Sequence, residues 1–167
     1  MANNHGYVFN KLQTWNEGKQ AENLFASIRK DNIIRKSTLQ EDRTEHWDFL
    51  DKELGRVDVK AAKRLHRHGP VDHTIWWELR TVKKPPDMKP KRGWGVPNGI
   101  ERLIAVQSES AFHLIRPESI IEDLRKRCTK YFRGEFGLHT RPDREDLITI
   151  LPMWYVEEHA EKEIPIC

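Results

Sequence analysis

The stretch "EHWDFLDKELGRVDVKAAKR" at positions 45–64 constrains this chain most. "EHWDFL" and "RVDVKAA" read as two short strands, and "DKELG" between them supplies turn chemistry through Gly55. With the turn centred near Glu53, antiparallel partners sum to about 106. Asp48 then faces Asp58, and His46 faces Lys60. A side-chain period of two puts Asp58 and Lys60 on one face. Two carboxylates directly opposite one another cost stability. Either one carries a proton or a cation bridges them. Mg²⁺ suits such a pair because it takes oxygen ligands, usually only one or two protein carboxylates, and completes its shell with water and substrate phosphate.

The rest of the chain divides into recognisable elements. Ala21, Leu24, Phe25 and Ile28 recur at helical spacing and predict an amphipathic helix over about residues 18–31, with Glu22 at the margin of its apolar stripe. "NIIRKST" reads as a short strand. "HTIWWELRTV" is the third strand of a meander with the hairpin, dense in β-branched and aromatic residues. The basic loop "KRLHRHGPVD" precedes it, and "KKPPDMKPKRGWGVPNG" follows as irregular chain. "IERLIAV" reads as a short helix or strand and "AFHLIR" as a strand. "PESIIEDLRKRCTKYF" is a helix with Pro117 at its first position, acids early and bases late; Ile120, Ile121, Leu124 and Cys128 form its stripe. A strand "LITIL" and a last helix "WYVEEHAEKE" close the chain. The α-β-β-β-α-β order implies one α/β domain over residues 1–167, with a core at about 18–132 and an extension of unassigned role at 133–167.

Charge is concentrated. Residues 59–92 carry ten Lys/Arg against three acids, a balance of +7 in a chain whose total is +3, which leaves −4 elsewhere. Such a segment suits a polyanion, or is a set of solvated loops. Lys63, Arg64, Arg67, Lys83, Lys84, Lys89, Lys91 and Arg92 are the candidates for DNA phosphate contacts, which confer affinity and salt sensitivity without sequence choice. No apolar run approaches a membrane span, and "MANNHGYVFNKLQTW" lacks the apolar core of a signal peptide. Cys128 and Cys167 lie outside any CxxC pattern. A cytoplasmic location is expected, the host cytoplasm for a viral protein.

A metal at the hairpin would polarise a phosphoryl oxygen and lower the pKa of a water molecule, while Lys60 positions that water or stabilises charge on the phosphate. Glu22 offers a third carboxylate from the preceding helix. Glu78 in "WWELR" is either a further carboxylate beside the site or the partner of Arg80 or a hairpin lysine. His66, His68 and His73 do not match a closed zinc site. Trp94, between Gly93 and Gly95, either stacks on an unpaired base or folds back over the core. Trp76 and Trp77 must point to opposite faces of their strand.

Glu22 on a helix, Asp48 on a strand and "DVK" at Asp58, Val59 and Lys60 resemble the PD-(D/E)xK nuclease superfamily. "EHWDF", "VDVKAAKR", "IWWELR", "GWG" and "FHLIRPESI" are similar to its small, often viral, Holliday-junction-resolvase-like members, a resemblance covering about residues 18–128. Trp47 precedes Asp48 where the motif has proline, and no glutamine follows on the next helix. The resemblance implies a restriction-endonuclease-like core with a mixed central sheet flanked by helices, Mg²⁺ (or Mn²⁺) at the acidic cluster and a homodimer. By it, Asp48 and Asp58 are metal ligands with the Val59 carbonyl, Glu22 binds through water, and Lys60 is the catalytic lysine. The expected activity is Mg²⁺-dependent endonucleolytic cleavage of branched or structured DNA. Alternatives are a nuclease for duplex sequence or DNA ends, and a DNA-binding module without the chemistry.

Overall fold

The computed structural model describes residues 11–61, 74–82, 90–128, 135–140 and 146–166. Among them the chain is mixed α/β, with four helices and two sheets. Helix α1 (Lys11–Ile28) begins seven residues before the expected start, running through Gly18, and ends three residues before the expected end. Ala21 and Phe25 on its stripe are fully buried.

The next segment departs from expectation. Strand β1 (Ile33–Lys36) is followed by a helix, α2 (Leu39–Glu45), and only then by β2 (Phe49–Asp51) and β3 (Gly55–Lys60). Thr38 caps α2: its hydroxyl accepts from the Glu41 N–H, and the Glu41 carboxylate accepts from the Thr38 N–H at 2.8 Å. That is a capping box, two orphan donors satisfied reciprocally. "EHWDFL" is therefore not strand throughout. Glu45 ends α2, and His46 turns the chain with a left-handed φ of 57°.

Six strands form the central sheet in the order β1-β2-β3-β6-β7-β10, with β6 at Leu103–Gln107, β7 at Ala111–Ile115 and β10 at Lys162–Pro165. Among the described residues of this sheet, only β3 and β6 pair in parallel. "IERLIAV" thus resolves as strand. The strand β4 (Thr74–Val82) does not extend the meander. It belongs to a second, antiparallel sheet of order β5-β4-β9-β8, with β5 at Pro90–Arg92, β8 at Leu138–Thr140 and β9 at Leu147–Pro152. Helix α3 (Pro117–Arg127) matches its sequence signals, burying Ile120 and Leu124. Helix α4 (Met153–Glu158) is shorter than expected: "HAEKE" leaves it, and Lys162–Pro165 pairs with β7 as an edge of the central sheet.

The β6 run Leu103-Ile104-Ala105-Val106 is apolar at every position because both faces are covered. On one face, α1 packs Ala21 and Phe25 against Phe49, Val57, Val59, Leu103, Ala105, Phe112 and Leu114. On the other, Ile104, Val106 and Ile115 meet Ile75 and Trp77 of β4, Ile120 and Leu124 of α3, and Tyr155 and Val156 of α4. Asp58 and Lys60 register with Ile104 and Val106, so they lie on this second face, toward the second layer. Among the described residues no helix is long and apolar enough to cross a membrane.

Candidate functional site

The hairpin register is Phe49 with Val57, Leu50 with Arg56 and Asp51 with Gly55. The ladder ends there: Asp48 lies one residue before β2, outside the strand pairing expected for it, but its carboxyl is close enough to that of Asp58 to share a hydrogen bond. The Asp48 N–H donates to the Val57 carbonyl at 2.8 Å, and Asp48 Oδ2 accepts the Val59 N–H at 2.7 Å. A strand residue projects its N–H and C=O to the same side, so the Val59 carbonyl also faces the Asp48 side. Asp58 has 3% of its side chain exposed, and its Oδ1 accepts from Lys60 Nζ. Its Oδ2 is buried, with no N–H, hydroxyl or ammonium donor among the described residues. His46 does not reach a position opposite Lys60, because the left-handed turn at the end of α2 takes the chain away from the ladder.

The electrostatics follow from this burial. Burial, then the charge of Asp58, pushes the Asp48 carboxyl up to about 7, against the pull of Lys60 and the Val59 N–H. Burial also raises Asp58, opposed by Lys60, by the nearby charge of Arg102 and by a hydrogen bond shared with Asp48. Burial disfavours the Lys60 ammonium, but Asp58 and Asp48 outweigh it and the net shift is upward. Two carboxyls competing for ionisation beside a held ammonium is the condition a bound cation relieves.

Two residues with no role in the sequence reading act on this centre. Asp42, on the unexpected α2, repels Asp48 and favours the Lys60 ammonium. The Thr38–Glu41 capping-box spacing, T-x-x-E, was the signal that would have placed it. Arg102 is 1% exposed and donates to Asn98 Oδ1 at 2.8 Å and to the Trp94 carbonyl. Its Nε finds no partner. No local pattern marks it.

Glu22 is tied to lysines. Both its oxygens accept from Lys19 Nζ, at 2.9 and 2.7 Å, and Lys36 Nζ lies 3.8 Å away. Lys19 in turn feels the charge of Asp48. Among the described residues no three His, Cys, Asp or Glu converge as a metal-binding group, so Glu22 is not joined to the aspartate pair as a third direct ligand. Glu78 sits in the second sheet opposite Ile148, and its carbonyl accepts from the Gly95 N–H at 2.9 Å. Trp77 is fully buried and Trp76 only partly, as opposite faces require. Trp94 folds over the core, its ring 5.0 Å from that of Trp77. Of the phosphate-contact candidates, Lys91 and Arg92 are exposed on β5. Lys63, Arg64, Arg67, Lys83, Lys84 and Lys89 lie outside the described residues, as do His66, His68 and His73.

A hard cation fits the donors present: the orphaned Oδ2 of Asp58, the Asp48 carboxyl and the Val59 carbonyl are all oxygen. Comparison with family models, with curated proteins and with solved structures found no match.

Proposed function

We propose that this chain is a Mg²⁺-dependent DNA endonuclease, selective for branched substrates such as the four-way junction and working as a homodimer. One observation carries the reading. Asp48 and Asp58 lie side by side where the hairpin ladder ends, Lys60 engages one oxygen of Asp58, and the other is buried without an N–H, hydroxyl or ammonium donor among the described residues. A buried polar atom without a partner needs a reason, and a ligand is the simplest one.

Asp48, Asp58 and the Val59 carbonyl would hold the ion, with Mn²⁺ an acceptable substitute. A divalent cation supplies polarisation of a phosphoryl oxygen and a more acidic water. Asp48 and Asp58 anchor the scissile phosphate's counter-charge on a rigid hairpin. The Lys60 ammonium, with 27% of its side chain exposed, faces the charge that builds on the phosphate. The basic residues of 59–92 would grip backbone without reading bases. Preference for a junction over plain duplex rests on the resemblance to small resolvases and on the pairing of two such sites in a dimer.

The test is incubation of a four-way junction, a fork, linear duplex, single strand and RNA with Mg²⁺ or with EDTA. Cleavage of the junction that needs Mg²⁺ is expected. Asp48→Asn, Asp58→Asn and Lys60→Ala should abolish it while the protein still binds DNA. Full cleavage by any of the three variants, or none of any substrate by the wild type in Mg²⁺ or Mn²⁺, overturns the reading.

A further inference from the structure

Lys60 is held from two sides. Its ammonium donates to Asp58 Oδ1 and also lies 5.0 Å from the centroid of the Trp94 ring. The negative face of an indole attracts a cation, more strongly as water is excluded. Trp94 has little freedom of its own. Its ring packs on Trp77 at an interplanar angle of 59°, and its carbonyl accepts from the buried Arg102 guanidinium. The flanking residues are pinned to β4: the Gly93 N–H donates to Leu79 O at 3.1 Å, and Gly95 O accepts from Trp77 Nε1 at 2.7 Å. A Cβ at Gly93 would meet Glu78 O at 2.3 Å, and one at Gly95 would meet Trp77 Nε1 at 2.2 Å. Only glycine lets the segment lie this close.

The geometry points to Trp94 as a positioning residue for Lys60: through the clamped Gly93-Trp94-Gly95 segment, the second sheet sets where the ammonium of the hairpin site points. A lysine is a point charge on a flexible four-carbon stem. Asp58 fixes the distance of its ammonium, and a ring face fixes its side of approach, before any substrate arrives. Pre-set geometry of this kind shows in turnover rather than in affinity. The kinetic consequence rests on the nuclease reading; the placement of Lys60 does not.

Two measurements on the full chain separate them. Protons held over an indole face are shifted upfield by its ring current. In the wild type the Lys60 Cε protons should resonate upfield of the other lysines, keep part of that shift in Trp94→Phe and lose it in Trp94→Leu. In cleavage assays Trp94→Leu should lower kcat about tenfold, equal to about 1.4 kcal/mol. KM for DNA should stay within about twofold, and Trp94→Phe should recover most of the rate. Unshifted Lys60 protons in the wild type overturn the inference, and that reading needs no variant to fold. So does a Trp94→Leu protein with undiminished kcat. A wild type that cleaves nothing removes the nuclease reading alone, and the proton shift still decides whether Trp94 positions Lys60.

Discussion

Asp48 lies beside Asp58 where the β2–β3 ladder ends, near enough for the two carboxyls to share a hydrogen bond, and the Lys60 ammonium donates to Asp58. The same hairpin carries a third buried acid, Asp51, in the opposite condition. Asp51 accepts from Arg29 Nε and Nη2 at 2.9 and 2.8 Å and from the N–H groups of Glu53 and Leu54 at 2.9 and 3.1 Å. Burial would raise its pKa, yet these donors bring the net shift below the usual carboxylate value. The donors around Asp51 outweigh its burial, whereas those around Asp48 and Asp58 do not, and both are pushed up. Ionisable groups shifted in this way cluster where a ligand is to be bound.

Asp51 should therefore behave as structure. Asp51→Ala leaves Arg29, only 11% exposed, with Glu53 as its remaining acidic partner among the described residues and frees the turn N–H groups. Loss of one partner of a buried pair costs about 3 kcal/mol or more. The urea midpoint is the measurement; a loss below about 1 kcal/mol, the range of surface pairs, would refute the assignment.

Stability should fall with rising pH across the titration of the pair. The Asp48 pKa moves from 3.8 to about 7 on folding. Between those values the native state holds a proton that the unfolded chain has released, so stability drops from about pH 4 to about pH 7 and levels off above. Asp58 is raised in the same direction. Allowing for the partial exposure of Asp48, the drop is about 1–3 kcal/mol. Asp48→Asn removes it: the variant should match the wild type near pH 4 and exceed it at pH 8 in chemical denaturation. A wild type that gains stability over this interval contradicts the site's electrostatics.

Mg²⁺ should stabilise the wild type at pH 8 independently of any substrate. At a concentration about 100 times Kd, linkage gives about 2.7 kcal/mol. For a chain of this size that is a Tm rise of about 5–10 °C. Asp48→Asn and Asp58→Asn should show little or no rise. Equal shifts in all three proteins would place the ion elsewhere.

Gly95→Ala tests the clamp between the sheets without touching a charged group. Its Cβ would enter the space of the Trp77 indole, which is fully buried. Overpacking of this kind costs about 1–3 kcal/mol, read from the denaturation midpoint. A neutral effect would mean the segment can lift from β4.

Much of the hairpin was legible because its information is local. Alternation, turn length and Gly55, which adopts a φ of +74°, set the pairing of Phe49 with Val57 and Asp51 with Gly55, whereas Asp48 sits beside Asp58 just past the ladder and outside the strand expected for it. Helix α1 was legible in its stripe but not in its start. Helix α2 left a legible trace, Thr38 and Glu41 at capping-box spacing, which the strand-like "EHWDFL" obscured. The sheet membership of β4 had no such trace. Its alternating aromatic residues suit any sheet, and nothing in "HTIWWELRTV" names β9 rather than β3 as its partner.

By itself, then, the order of residues determined the local pieces: an amphipathic helix, a tight hairpin and the side on which Asp58 and Lys60 fall, since periodicity and turn chemistry act over a few neighbouring residues. Tertiary structure alone decided that β6 pairs with β3 in parallel, that β10 returns to the far edge of the same sheet, and that the Trp94 ring comes to lie beside the Lys60 ammonium. Those contacts join segments tens of residues apart. They form where burial of both sheet faces repays the closure of long loops, a balance no short window of sequence contains.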